Sequence, residues 1–222
     1  MVIGILIALQ INNWNERRKD RADEKIALEE FSEDFLQDHK EYENVKVKLI
    51  SILKSMVILL EQSALSEPNL SVQELNDHFK KIQDMPTYTG TDRAYLNLTG
   101  SGRFGILRNR NLKGIIARYY SAGKLFTTVQ NTHEMELVET FQPYIIDYME
   151  YQAVLSTSYE DVPLPPKGED ETMILSVLND RKFRNVVTQK WVITNDLLHE
   201  HNQYEKMRAE VISLLNSELM KN

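Results

Sequence analysis

Leu28-Glu-Glu-Phe31-Ser-Glu-Asp-Phe35-Leu-Gln-Asp38-His-Lys-Glu-Tyr42-Glu-Asn-Val45-Lys-Val-Lys-Leu49 places apolar residues alternately three and four positions apart. That spacing gathers them on one side of an α-helix. The pattern continues through Ile52, Met56 and Leu59; only Asp38 interrupts it, and neither Pro nor Gly occurs between Ala22 and Leu65. A long amphipathic helix is predicted there, ending at Ser66-Glu-Pro68-Asn69, because Pro disfavours a helical residue before it. Val47, Ile50, Leu53, Val57, Ile58 and Leu60 widen the stripe in the second half, which predicts contact with several neighbours.

Downstream, Ser71 with Glu74 forms a capping box for a short helix that turns Leu75, Phe79 and Ile82 inward and ends near Met85-Pro86. Turn residues crowd the stretch from Thr87 to Asn109, with a helical turn expected at Ala94 to Leu98. Asn109 is a candidate N-cap for a helix over Arg110 to Ser121 that buries Leu112, Ile115, Ile116, Tyr119 and Tyr120, with Gly123 as its end or a bend. A second long helix is expected from Lys124 to Leu155, burying Leu125, Val129, Leu137, Phe141, Tyr144, Ile145 and Tyr148 and kinked at Pro143. Ser156 to Asp170 reads as a linker. Beyond it, a short helix from Glu171 to Asn179 precedes a long one from Arg181, with Val187, Trp191, Leu198, Tyr204, Val211 and Leu215 inside.

With 222 residues, 42% of them hydrophobic, the chain can bury a sizeable core; eight Gly and six Pro are too few for a turn-rich sheet protein. The fold class is mainly α, an up-and-down helical bundle of three long and three or four short helices. No Cys is present, so disulfides, thiolate metal sites and Cys nucleophiles are excluded. The net charge of −7 argues against a nucleic-acid partner. The charge is uneven, however. Arg93 to His133 holds no acid and carries +7, leaving −14 elsewhere. Such a segment must rest against acids, and the first long helix offers them; an external anion is the alternative, with Arg103, Arg108, Arg110, Lys113 and Arg118 as candidate anion-binding residues.

Upstream of the long helix, Met1-Val-Ile-Gly-Ile-Leu-Ile-Ala-Leu-Gln-Ile11 is apolar, then comes Trp14, then Arg17, Arg18, Lys19 and Arg21. Apolar run, interfacial aromatic and cations, in that order, mark a helix leaving a membrane. Met1 to Ile11 rises only about 16 Å against roughly 30 Å of hydrocarbon. The segment is therefore expected to be the C-terminal half of a transmembrane helix. Residues 1–21 form this anchor with its basic juxtamembrane segment, and 22–222 the helical bundle domain.

The run Val2 to Glu16 resembles the membrane-anchor motif of a large family of uncharacterised, single-span helical proteins found mainly in Bacteroidota. The stretch Tyr95-Leu-Asn-Leu-Thr-Gly-Ser-Gly-Arg-Phe-Gly-Ile-Leu107 through Tyr119-Tyr120 is similar to that family's second signature, a Ser-Gly turn followed by a helix closing on paired tyrosines. The resemblance implies a start truncated relative to family members, a bacterial cytoplasmic membrane and an extracytoplasmic domain, whereas the cations after the span would by themselves place the domain in the cytoplasm. It implies no activity, catalytic residue or cofactor.

Reactive chemistry has little support. Asp196-x-x-His199 occurs once, where a di-iron bundle needs two such motifs plus further Glu residues, and Glu30, Glu33, Asp34, Asp38 and Glu41 read as a solvated face. No metal is expected. Ser101 lacks the Gly spacing of an activated serine, and Gly100-Ser-Gly102 lacks that of a phosphate loop. The tyrosines at helical spacing read as core. The sequence therefore points to a membrane-anchored interaction or ligand-sensing module without catalysis, whose partners are the bilayer, through Trp14, Arg17, Arg18, Lys19 and Arg21, and a protein or second copy. The alternatives are an envelope- or lipid-modifying enzyme that grips an anionic head group with residues 93–124, and a soluble helical oligomer.

Overall fold

A computed structural model describes residues 2–151 and 172–221. Among them all regular structure is helical: α1 (Val2–Gln62), α2 (Val72–Ile82), α3 (Arg93–Gly100), α4 (Arg110–Glu136), α5 (Gln142–Tyr148), α6 (Met173–Leu178) and α7 (Arg181–Leu219). The expected linker at Ser156–Asp170, the helix end at Leu155 and the start at Glu171 lie outside the described residues. No helix among the described residues is long and apolar enough to cross a membrane. The apolar opening is instead the first part of α1, which runs unbroken past residue 21.

Local signals place several of these elements. Ser71 accepts from the Glu74 backbone N–H while Glu74 accepts from that of Ser71, the reciprocal capping box the spacing predicts. Asn109 Oδ1 accepts from the backbone N–H groups of Asn111 and Leu112 and so starts α4. The break expected at Gly123 is absent, for α4 runs straight through it. This glycine answers a packing need: a Cβ there would lie 2.9 Å from the Tyr204 hydroxyl. The kink expected at Pro143 is replaced by a π-helical turn at Leu137–Phe141, in which the Gln142 N–H bonds to the Leu137 carbonyl. Widening the helix just before Pro143 absorbs the missing N–H and the crowding of the Glu139 carbonyl.

The contact pattern divides the chain into two compact units. Unit one is Met1–Tyr42, Thr89–Lys124 and Gln203–Asn222; unit two is Glu43–Tyr88 and Leu125–Asn202. In unit one, Leu28, Phe31, Phe35 and Tyr42 of α1 are buried, as are Leu112, Ile115, Ile116 and Tyr119 of α4 and Tyr204, Val211 and Leu215 of α7. Phe35 meets Tyr119 edge-on at 4.8 Å, and Tyr204 stacks on Tyr119 at 4.3 Å. In unit two, Phe79 stacks on Phe141 and Phe183 within a core that takes in Ile52, Met56, Leu59, Leu75 and Val187. Each such side chain contributes about 1.5–3 kcal/mol when removed from water.

Some positions face otherwise than expected. Val47 and Val57 are exposed, so the stripe of α1 broadens less than its composition suggests. Phe126 is buried in place of the exposed Leu125, and Tyr148 is exposed. Apart from Val186, the buried residues of α7 are Phe183, Val187, Lys190, Thr194, Leu197, His201, Tyr204, Arg208, Val211 and Leu215. That is a sustained alternation of threes and fours. Four of its positions are polar.

Candidate functional site

Not all the acids of α1 form a solvated face: Glu33 is exposed and Glu30 and Glu41 are half-buried, but two of the five expected there, Asp34 and Asp38, are inside. Glu24, Asp34 and Asp38 are buried, and each receives a backbone N–H from the segment after Thr89. Asp38 accepts from Thr91 N at 2.7 Å, Asp34 from Ala94 N at 2.8 Å, and Glu24 from Arg108 N at 2.6 Å. Asp34 thereby supplies the first turn of α3 with an acceptor that its own N-cap residue, Asp92, does not provide. Side chains follow the same route. Arg93 donates to Asp34 at 3.0 Å, Arg103 pairs with Asp23, and Arg108 Nε lies 3.4 Å from Glu24. Asp34 and its hydrogen bond raise the Arg93 guanidinium above its ordinary pKa. Three of the seven cations of this segment, Arg93, Arg103 and Arg108, thus meet acids of the first helix.

Ser101 is part of a helix stop. Its hydroxyl donates to the Asn97 carbonyl at 2.7 Å, while Gly102, at φ 70°, donates to Thr99 and Arg103 N to Leu98. This is a Schellman ending, which needs the left-handed conformation that glycine takes without strain. Among the remaining candidate anion ligands, Arg110 and Arg118 are exposed and Lys113 is half-buried.

At the N-terminal end of unit one, Ile3, Ile5, Leu6, Ile7, Leu9, Ile11 and Trp14 each keep more than half their surface exposed. They span about two thirds of the circumference of the helix, so no single face could hide them against the rest of a folded body. Arg18 stacks over the Trp14 ring at 5.3 Å, and Arg17, Lys19 and Arg21 are exposed. Arg108 Nη2 reaches the Arg17 carbonyl at 3.5 Å. The fold therefore sets a residue of the segment after α3 directly on the basic stretch of α1.

Two polar clusters escaped sequence reasoning. In unit one the wholly buried Arg208 lies over Tyr42, Tyr119 and Tyr204 at 5.3, 5.8 and 5.6 Å. Its Nε donates to the Tyr119 hydroxyl at 3.1 Å and its Nη1 to Glu205, which also holds His39 at 2.7 Å. Burial pushes the Tyr204 phenol above its ordinary pKa. In unit two, buried Lys190 Nζ lies 3.6 Å from buried Glu136 Oε2 and 5.1 Å from the centre of the Phe141 ring. His133, one turn before Glu136, shares a hydrogen bond between its Nε2 and Thr194 Oγ1 at 3.1 Å. His133 Nδ1, both Glu136 oxygens and Lys190 Nζ have no hydrogen-bond partner among the described residues. Burial moves Glu136 up and Lys190 down, each toward its neutral form, against the pull of the partner's charge. The one legible signal was position: Lys190, His201 and Arg208 fall on the three-four spacing of the apolar residues around them.

Burial, and then the charge of Lys190, lowers the His133 pKa from 6.5 to about 4. Between those values the unfolded chain binds more protons than the folded one, so the stabilisation is whole above pH 6.5 and drains away as pH falls to about 4. The loss amounts to about 3 kcal/mol. His133→Gln, whose amide keeps a partner for Thr194, will flatten this part of the profile. Urea unfolding across that pH range measures it, and equal slopes in the two proteins would refute the assignment.

Among the described residues, no three His, Asp or Glu side chains are grouped to hold a metal ion, and Asp196 and His199 are both exposed. No curated protein and no solved structure matches the chain. The family described as of unknown function, DUF6090, matches residues 1–135, a stretch that takes in the apolar start of α1, the cationic segment and most of α4. With more than half its length covered by that match, this chain belongs to the DUF6090 family.

Proposed function

We propose that the chain is a membrane-tethered helical module without catalysis, in which the first turns of α1 lie in hydrocarbon, Trp14 sits at the headgroup level and the helical body acts beside the membrane as an interaction or ligand-sensing domain. The supporting observation is the exposure of Ile3, Ile5, Leu6, Ile7, Leu9 and Ile11 on a helix continuous with the folded body. Transferring those half-exposed side chains from water to oil is worth about 1 kcal/mol each, on the order of 6 kcal/mol together. Beyond the first turn the backbone adds little cost, because a helix satisfies its own N–H and C=O groups. On the family resemblance, the membrane is a bacterial cytoplasmic membrane with the body on its outer side. The enzyme alternative gains nothing from the unit-two cluster, because Glu136, Lys190 and His133 are all sealed from solvent.

The test is flotation of the full chain with phosphatidylcholine vesicles, alongside Trp14 fluorescence in a Trp191→Phe background. The chain is expected to float and its emission to shift to the blue; Leu6→Glu with Leu9→Glu is expected to lower vesicle binding more than a hundredfold, since each charge placed in hydrocarbon costs about 2.5–3.5 kcal/mol. A chain that stays unbound with unchanged emission, yet sediments as an oligomer without detergent, would replace the tether with contact between subunits.

A further inference from the structure

Arg103 and Arg108 are far from the basic stretch of α1 in sequence and next to it in the fold. A groove of about 400 Å³ in unit one is lined by Asp20, Gly102, Arg103, Gly105, Ile106 and Arg108. Both guanidiniums open into solvent, with 53% and 51% of their side-chain surface exposed. Each is held in place by an acid of α1, Asp23 or Glu24. A guanidinium has five N–H donors, so these pairings leave donors over for a second anion. The glycines leave the groove wall low at the turn after α3.

The height of the groove argues for its occupant. Asp20 lies six residues beyond Trp14, about 9 Å along the helix axis. If Trp14 marks the edge of the hydrocarbon, the groove opens just outside a headgroup layer about 5–8 Å deep, where side chains as long as Arg103 and Arg108 can reach back to its phosphates. Arg17, Arg18, Lys19 and Arg21 ring α1 at the same level. From this we propose that the groove between α1 and the Gly102–Arg108 turn is a headgroup site, in which Arg103 and Arg108 grip the phosphate of an anionic lipid and fix the body of unit one against the membrane. The proposal rests on the tether reading. It narrows the cationic segment to two residues and leaves Arg118, exposed farther along α4, outside the site.

Flotation of the full chain on phosphatidylcholine vesicles, with and without phosphatidylglycerol, separates this proposal from the reading beneath it. Wild type and Arg103→Gln/Arg108→Gln should bind neutral vesicles equally, since that step depends on α1 alone. Phosphatidylglycerol should strengthen wild-type binding, and the double variant should lose about tenfold of that gain at low salt, allowing for the share of charge already taken by Asp23 and Glu24. Arg118→Glu, which changes the net charge by the same two units, should lose less than twofold. Asp20→Asn removes the repelling carboxylate from the groove and should raise binding to the anionic vesicles while leaving binding to neutral ones unchanged, whereas a folding defect that exposes apolar surface would raise both. Equal losses in the Arg103/Arg108 and Arg118 variants, or no gain with Asp20→Asn, overturn the headgroup site while leaving the tether intact. Failure of wild type to bind neutral vesicles overturns the tether instead. Strong competition by inorganic phosphate, lost in the double variant, would assign the groove to a free anion and also overturn the proposal.

Discussion

Replacing Lys190 with methionine will lower the stability of the protein by about 3–5 kcal/mol, because Glu136 is then left in the core of unit two without its counter-charge. The ammonium lies 3.6 Å from Glu136 and over the Phe141 ring, and neither partner reaches solvent. Adding Glu136→Leu to Lys190→Met is expected to bring stability back to the wild-type value or above it, since an apolar pair of similar volume carries no desolvation penalty. Urea unfolding of the two single variants and the double variant forms a cycle that measures the pair. The single-variant loss has a definite pH sign. Glu136 is already raised by burial, and without Lys190 it rises further, so its folded form holds a proton where its unfolded form does not. The penalty is therefore small below the ordinary carboxylate pKa and grows as pH rises through the folded value. A double variant as unstable as Lys190→Met would show that the methylenes of Lys190, and not its charge, support the core.

Arg208→Met is the second large loss, about 3–5 kcal/mol, and it will fall on unit one. The side chain is wholly buried and joins three tyrosine rings to Glu205. Methionine can follow the aliphatic stem but removes the guanidinium's hydrogen bonds to the Tyr119 hydroxyl and to Glu205. A lysine at the same place keeps the charge and loses the fork that serves Tyr119 and Glu205 together, so Arg208→Lys should recover less than half the loss. Thermal unfolding of the three proteins checks this order. Full recovery by lysine would reduce the role of Arg208 to charge alone.

Both residues show where sequence reading stops. Lys190 and Arg208 occupy positions on α7 that the three-four rhythm assigns to the interior, yet residue type alone sends a lysine or arginine to the surface. The rhythm was the better guide. On α1, Asp38 looked like an interruption and Asp34 like one of a solvated run; both are buried because loop N–H groups from Thr91 and Ala94 need acceptors away from water. Gly123 looked like a helix end on propensity, and the nearby Tyr204 hydroxyl explains why the position carries no side chain. Pro143 announced a disturbance, but not its form, a π-helical turn that carries Leu137 and Phe141 into the core of unit two.

Local chemistry alone was enough to set the helical class, the stripe of α1 from Leu28 to Leu59, the Ser71 and Asn109 starts, the glycine stop after α3 and the apolar character of the first turns. These depend on residues within about four positions of one another, and a linear reading contains all of them. The tertiary structure decided which polar residues go inside and which distant cations meet: Glu136 with Lys190, Arg208 with its tyrosines, Arg108 with Arg17. A buried charge is tolerated only where a partner or hydrogen bond meets it, and here those partners come from parts of the chain that only folding brings together.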